Sequence, residues 1–223
     1  MSLEEFFPSE VVVRVGDPDR VDGPLLGDEG AAIERAIEKR RREFTAGRVL
    51  AREALDVIGI APTPVPVGED RAPRWPAEVI GSITHTRGFC AVAVARRSPG
   101  LIGIGIDVEP DEALAEAVLE RIALPAEIER LRAAGDALHL GRRLFCAKEA
   151  LYKAQYPETR EFLGFRDVEI ALDVATGAFT AATVGTASER VDLNAVTGRV
   201  FIVGGRLVAG ALASGALSPT RRP

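Results

Sequence analysis

The sequence predicts an α+β fold made of two similar lobes, each with an antiparallel sheet packed against a long helix. The chain has 223 residues, of which 47% are hydrophobic, so it can bury a sizeable core. A stretch with helical periodicity followed by short apolar strands occurs twice along it. No residue-level repeat accompanies this order. We therefore expect a pseudo-twofold arrangement, with lobes at residues 1–105 and 106–223.

The first lobe is predicted to begin with a helix. Apolar residues recur at three- and four-residue steps over 28–58, with Gly47 as an interruption, and a proline-rich connector follows at 60–76. Three strands then follow in segments bounded by turn residues: "EVIGSITHT", "GFCAVAVARR" and "LIGIGIDVE".

The second lobe repeats the order from helix to sheet. Short helices are predicted at 111–122 and 125–134, and a longer one at 137–156 that ends before Pro157. Four strand segments complete the lobe, with turns at Thr176–Gly177 and Thr197–Gly198: "DVEIALDV", "AFTAATV", "ERVDLNAV" and "RVFIVGGRLVAGALAS".

Composition excludes several classes of protein. The net charge of −5 argues against general nucleic-acid binding, which needs a basic surface, and the basic run "EKRRREFTAGRVLAR" is a local exception. We find no secretory signal and no uncharged apolar run of about 18 residues, so no membrane association is expected. The two cysteines are far apart and show no metal-binding spacing. A cytoplasmic protein fits best.

Three carboxylates carry the chemistry that the sequence suggests. In "GIGIDVEP", Asp107 and Glu109 lie two apart on a strand, on the same face and about 7 Å apart. In "FCAKEALYKAQYP", Glu149 lies on a helix between Lys148 and Lys153. Taken singly, these groups fit a solvated strand edge and an exposed helix face. Together they form an oxygen-only set that suits Mg2+ and, with two lysines, a phosphate-transfer or phosphate-cleavage site.

The two segments, in this order and about forty residues apart, resemble the paired signatures of the 4'-phosphopantetheinyl transferases. "KRRREFTAGRVLAREAL", "RWP" and "GSITHT" are similar to the enterobactin-synthetase and actinobacterial branch, so the resemblance covers roughly residues 38–165. Phe145 stands where many members have tryptophan. The resemblance implies transfer of phosphopantetheine from coenzyme A to the serine of an apo acyl or peptidyl carrier protein, with release of 3',5'-ADP. It favours the long, pseudo-dimeric type, active as a monomer.

The resemblance also implies roles for matching residues. Asp107, Glu109 and Glu149 would hold Mg2+, with Mn2+ as a substitute, on the pyrophosphate of coenzyme A. Lys148 and Lys153 would contact the same pyrophosphate and stabilise the leaving group. Either Glu149 or a metal-bound hydroxide would remove the proton from the serine.

A second group of residues is expected to hold the 3'-phosphate of coenzyme A. Arg40 and Arg48 are eight residues apart, about two helical turns, and so can share one side of the helix. The resemblance assigns both to this phosphate, with His85, and with Arg71 or Arg74 as a neighbour. Hydroxyl donors flank the histidine at Ser82 and Thr84.

Two other functions remain open from the sequence. A Mg2+-dependent nucleotide pyrophosphatase would use the same acids and lysines, and a nucleotide- or RNA-binding module would use only the basic run at 38–52. For the transferase, we expect carriers to dock near 112–143, where arginines are frequent: Arg121, Arg130, Arg132, Arg142 and Arg143.

Overall fold

The computed structural model describes Leu3 and residues 5–217, which form two compact units, Met1–Ser98 and Pro99–Pro223. Each unit has an antiparallel sheet and one long helix, so the predicted α+β class is confirmed. The division differs from the predicted 105/106 boundary, which falls inside the strand Gly103–Pro110. That strand lies wholly in the second unit because its partner strand is there.

The first unit has a three-stranded sheet in the order β1-β3-β2, covered by α1. Ala46, Leu50 and Ala54 of the helix pack with Val92 and Val94 of the sheet to form its core. The elements of this unit, in chain order, are β1 (Val12–Gly16), a 3-10 helix (Gly27–Ile33), α1 (Glu38–Val57), β2 (Val79–Thr86) and β3 (Phe89–Arg96).

Three expectations for this unit need correction. The predicted helix at 28–58 is two helices, and α1 runs unbroken through Gly47. A Cβ at Gly47 would lie 3.0 Å from Ile83, so this glycine lets α1 approach the sheet and does not end the helix. Strand β1 was not predicted, although it pairs with β3 over five residues.

The second unit has a five-stranded sheet in the order β4-β8-β7-β6-β5, against which α4 packs. The strand predicted as the last of the first lobe is β4 of this sheet. The elements are β4 (Gly103–Pro110), α2 (Glu116–Ile122), α3 (Pro125–Ala134), α4 (Ala137–Thr159), β5 (Val168–Leu172), β6 (Ala178–Thr183), β7 (Val196–Val203) and β8 (Arg206–Ala213), with 3-10 helices at Phe165–Asp167 and Gly185–Glu189.

The boundaries predicted here were wrong in three places. Helix α4 continues past Pro157 to Thr159 and ends where Arg160 takes a left-handed conformation, φ 57°. The segment "ERVDLNAV" forms no regular strand before Val196. Thr197–Gly198 lies inside β7, and the hairpin turns instead at Gly204–Gly205, where both residues have positive φ. The turn at Thr176–Gly177 is confirmed.

Two glycines bring α4 close to β4. A Cβ at Gly103 would lie 2.1 Å from the carbonyl oxygen of Ala154, and one at Gly105 would lie 1.7 Å from that of Ala150. Only glycine permits this approach, which brings the acids of β4 next to the polar residues of α4. In the part of the chain that the structure describes, no helix is long and apolar enough to cross a bilayer.

Candidate functional site

The acid pair lies at the end of β4, next to α4. Asp107 is 6% exposed, and its Oδ1 accepts a hydrogen bond of 2.7 Å from Nζ of Lys153. The same ammonium donates to the carbonyl oxygen of Ile106 at 3.1 Å. One of the two predicted lysines is therefore held directly on Asp107.

Glu109 has a cationic partner that the sequence analysis did not assign to the site. Its Oε2 accepts a hydrogen bond of 2.9 Å from Nη1 of Arg142. Burial and then the charge of Asp107 raise the pKa of Glu109, against the effect of Arg142. Arg142 precedes Glu149 by seven residues, two helical turns, so the spacing could have revealed it.

Glu149 completes the set from α4. Burial first, and then the charge of Asp107, raise the pKa of the Glu149 carboxyl, and Lys153 opposes the rise. The charge of Glu149 in turn raises the pKa of Glu109. The three acids predicted to share a site thus act on one another electrostatically.

These oxygen donors suit a hard divalent cation, since such a cation would offset the repulsion among the carboxylates. Among the described residues, however, no three carboxyl, imidazole or thiol groups lie close enough to form a ready metal cluster. Arg142 and Lys153 hold two of the acids instead. A divalent cation bound here would share the carboxylates with Arg142 and Lys153.

Lys148, predicted to contact phosphate, lies elsewhere. Its ammonium is buried and donates 2.8 Å to Oε2 of Glu127, and also to the carbonyl oxygens of Ile122, Phe165 and Val168. These hydrogen bonds hold the Lys148 ammonium on Glu127 and the three carbonyl oxygens, whereas Lys153 is the lysine that contacts Asp107. The structure thus gives the Lys148 ammonium protein acceptors of its own, and its contact with pyrophosphate stays a prediction.

A cleft of about 590 Å3 adjoins Glu149 on the side of α4. Its lining is mainly apolar, and Phe162, at its edge, is 72% exposed. Tyr152 contacts Phe162 with ring centroids 6.0 Å apart. The lining residues are Lys148, Glu149, Leu151, Tyr152, Phe162, Leu163, Gly164, Phe165 and Val168.

The basic residues predicted to bind the 3'-phosphate line a separate cavity of about 980 Å3 in the first unit. Arg40, Arg48, Arg71 and His85 all face it, whereas Arg74 is not among the residues that line it. An anionic ligand is the chemistry that three guanidinium groups favour.

Arg48 is the most buried of these arginines. Its Nε donates to the carbonyl oxygen of Val65 at 2.6 Å, and its guanidinium lies 4.0 Å from the ring centre of Phe44. Burial lowers the pKa of Arg48 to about 10, so the side chain is still cationic at neutral pH. These contacts fix the orientation of the guanidinium before any ligand enters.

Ser82 and Thr84 do not line this cavity. Both are 3% exposed and lie in β2, where successive side chains point to opposite faces. Ile83 and His85 of the same strand face the cavity, so the two hydroxyls lie on the other face. Strand alternation, visible in the sequence, separates them from His85.

The arginine-rich segment 112–143 is not a basic surface. It contains six Asp and Glu residues beside its five arginines. Arg130 pairs with Glu169 at 2.9 Å, Arg132 with Glu116 at 3.6 Å, and Arg142 belongs to the acid site. The expected charge attraction for an acidic carrier is therefore largely offset within this chain.

Comparison with known proteins gives two matching family models. Residues 28–95 match the "4'-phosphopantetheinyl transferase N-terminal domain", and residues 103–198 match the "4'-phosphopantetheinyl transferase superfamily". The first match contains the arginine cavity and the second contains the three acids.

Similar curated proteins carry the same family name or that of an enterobactin synthase component. The 4'-phosphopantetheinyl transferase Npt of Nocardia iowensis is 46% identical over 145 residues, 65% of each chain. The 4'-phosphopantetheinyl transferase PptT of Mycobacterium tuberculosis is 42% identical over 71% of this chain and 70% of its own. Enterobactin synthase component D of Escherichia coli is 42% identical over 63% of this chain and 66% of its own. The matched region thus spans about two thirds of each relative.

Proposed function

Because this chain belongs to the 4'-phosphopantetheinyl transferase superfamily, we propose that it transfers 4'-phosphopantetheine from coenzyme A to a serine of an apo carrier protein. The observation that carries the proposal is the group of three mutually interacting carboxylates, Asp107, Glu109 and Glu149, with Lys153 held among them. Carboxylates with a lysine among them suit a pyrophosphate and the metal that accompanies it.

In this proposal the three carboxylates hold a divalent cation, Mg2+ or in its place Mn2+. When bound, that ion supplies positive charge to the pyrophosphate oxygens. Lys153 donates to the same oxygens, since its ammonium is partly exposed beside Asp107. Arg142 orients Glu109 through its 2.9 Å contact.

The serine Oγ attacks the phosphorus nearer pantetheine, and the bond from that phosphorus to the bridging oxygen breaks, which releases 3',5'-ADP. Glu149 accepts the hydroxyl proton, because burial raises the pKa of its carboxyl and so makes the carboxylate a stronger base. The mainly apolar cleft next to Glu149 suits the uncharged pantetheine arm. The arginine cavity of the first unit, with Arg40, Arg48, Arg71 and His85, suits the 3'-phosphate.

We propose acyl or peptidyl carriers of siderophore, polyketide or non-ribosomal peptide synthesis as the partners, in the cytoplasm and with a monomeric enzyme. One similar protein is a component of an enterobactin synthase, which supports the siderophore class. A pyrophosphatase remains the competing activity, since the same acids would serve hydrolysis.

Mass spectrometry of an apo carrier incubated with coenzyme A, Mg2+ and this protein tests the proposal. We expect a mass gain of one phosphopantetheine, and release of 3',5'-ADP only when carrier is present. The variant Glu149→Gln should abolish both, whereas Glu158→Gln, exposed on the same helix, should be active. Release of 3',5'-ADP without carrier would support the pyrophosphatase, and an unchanged carrier mass would overturn the transferase.

A further inference from the structure

Glu43 is an acid in the wall of the arginine cavity, where an anion is expected to bind. It lies on α1, is 9% exposed, and faces the cavity together with the three arginines. A carboxylate in such a place repels an entering phosphate. Glu43 therefore needs a role that outweighs this electrostatic repulsion of the phosphate.

The contacts of His85 indicate what that function is. Nε2 of His85 lies 2.6 Å from Nη1 of Arg40, and a guanidinium can only donate hydrogen bonds. Nε2 is therefore the acceptor, and the ring proton is on Nδ1. Nδ1 lies 3.4 Å from Oε2 of Glu43, so this proton faces the carboxylate.

Apart from Glu43, the ionisable groups that line the cavity near the ring or pair with its strand are cationic or neutral. Helix α1 contributes Arg40 and Arg48 beside Glu43, and the connector before β2 contributes Arg71. Lys39 lies 3.6 Å from Oε1 of Glu43 on the exposed side of the helix. Across the sheet the register partner of His85 is Cys90, whose thiol stays protonated because burial raises its pKa to about 12. Glu43 is thus the one anionic group among these neighbours.

We propose that Glu43 is a positioning residue that lets His85 change from a neutral acceptor to an imidazolium donor when a phosphate dianion enters the cavity. The dianion draws Arg40 away from Nε2, which then takes one proton from solvent. Nε2–H donates to the phosphate while Nδ1–H stays on Glu43. This inference rests on the proposed function only in identifying the dianion as the 3'-phosphate of coenzyme A.

Proton uptake on ligand binding tests this role separately from catalysis. Titration calorimetry with 3',5'-ADP at pH 8, in two buffers of different ionisation enthalpy, gives the number of protons bound. Because Nε2 accepts from Arg40, the unliganded ring is neutral, so wild type should take up about one proton with 3',5'-ADP. It should take up far fewer with 5'-AMP, which lacks the 3'-phosphate.

Glu43→Gln should lose most of the uptake and bind 3',5'-ADP more weakly, by on the order of tenfold, with little change for 5'-AMP. Glu53→Gln, on the exposed side of the same helix, is the matched control and should behave as wild type. His85→Gln should lose the uptake by itself. Adding Glu43→Gln to it should weaken binding no further, because the carboxylate acts through the ring.

Several results would overturn the role of Glu43. These are absence of proton uptake by wild type, normal uptake by Glu43→Gln or His85→Gln, or equal weakening for both nucleotides. A further loss from Glu43→Gln in the His85→Gln background would mean that Glu43 supports only the cavity wall. Failure of the carrier assay with proton uptake intact would overturn the transferase and leave this inference standing.

Discussion

At the scale of single residues, the two lysines of one helical motif do different work. Lys148 and Lys153 flank Glu149 in sequence, yet the ammonium of Lys148 is buried on Glu127 and three carbonyl oxygens, while that of Lys153 contacts Asp107. Five residues along a helix turn a side chain by about 140°, so the two cannot share a face. We therefore expect Lys148 to contribute mainly to stability and Lys153 to the proposed site.

Lys148→Met and Lys153→Met should separate these functions. Lys148→Met leaves Glu127 as a buried carboxylate without its cation and should lower the free energy of unfolding by about 3–5 kcal/mol. Lys153→Met should reduce kcat/KM on the order of a hundredfold with a smaller loss of stability. Urea unfolding and steady-state transfer measure both. A stable, inactive Lys148→Met would return that lysine to the phosphate site.

The mutual repulsion of the acids predicts a dependence of stability on pH and metal. The folded-state pKa of Glu149 is raised, so the folded protein binds more protons than the unfolded chain, and stability falls as pH rises from about 4.5 through the raised pKa. Glu149→Gln should therefore raise the Tm at pH 8 in EDTA, and this gain should vanish below about pH 4.

Added Mg2+ should make wild type more stable than Glu149→Gln, because the ion binds to the three acids of wild type. The Tm of wild type should rise with Mg2+ concentration and that of Glu149→Gln should rise less. Thermal unfolding at pH 8, with EDTA and with added Mg2+, gives both differences. A Glu149→Gln protein that is less stable than wild type in EDTA, or a Mg2+ response equal in both, would contradict the shared site.

At the scale of elements, the close packing of α4 on β4 builds the acid site. Gly103 and Gly105 place the strand against the backbone of the helix, which sets Glu149 and Lys153 beside Asp107. The acids are thus brought together by two residues without side chains.

Gly105→Ala should disrupt this packing. Its Cβ would meet the carbonyl oxygen of Ala150 at 1.7 Å, so α4 must move, at an expected cost of about 3 kcal/mol. Mg2+ stabilisation should weaken as well, because Glu149 moves with the helix. Gly100→Ala, where no atom lies within 4 Å of the new Cβ, is the control. Wild-type stability in Gly105→Ala would show that the helix is not held this closely.

At the scale of the whole molecule, the two units share one buried arrangement. In the first, Glu29 accepts from the backbone amides of Leu26 and Val65, both at 2.8 Å, and from Nη1 of Arg52 on α1 at 3.0 Å. The carboxylate is fully buried. Its hydrogen bonds thus connect the start of the 3-10 helix, the long helix α1 and the segment that follows α1.

Glu127 repeats this pattern in the second unit. It accepts from the amides of Leu124 and Ile170 at 2.7 and 2.8 Å, and from Lys148 of α4 at 2.8 Å. Each glutamate accepts hydrogen bonds from the backbone amide three residues before it, from a cation of the long helix, and from a backbone amide that follows the long helix in sequence. Lys148 thus corresponds to Arg52. This correspondence supports the expected similarity of the lobes, which the sequence shows only as an order of elements.

Glu29→Gln and Glu127→Gln should each lower the free energy of unfolding, by about 1–3 kcal/mol, because the half-buried Arg52 and the buried Lys148 each lose a charged acceptor. The partners lie in separate units, so in the double variant the losses should add within about 0.5 kcal/mol. Urea unfolding checks this, with exposed Glu129→Gln of α3 as control. A negligible loss in either variant would contradict the shared arrangement.

The sequence by itself determined what depends on local spacing. Strand alternation placed Asp107 and Glu109 on one face, helical periodicity identified most of α1 and α4, and the paired motifs identified the family. Arg142 and the orientation of Ser82 and Thr84 were within reach of the same rules.

Tertiary structure alone decided the rest, because it depends on contacts between distant residues. Strand β4 belongs to the second unit since it pairs with β8, about a hundred residues later, and nothing local encodes that partner. Lys148 contacts Glu127 because α3 and β5 supply a buried carboxylate and carbonyl groups that compensate the desolvation of its ammonium. The sequence motif shows the lysine but not these acceptors. Likewise Glu43 met His85 only when α1 packed on the sheet.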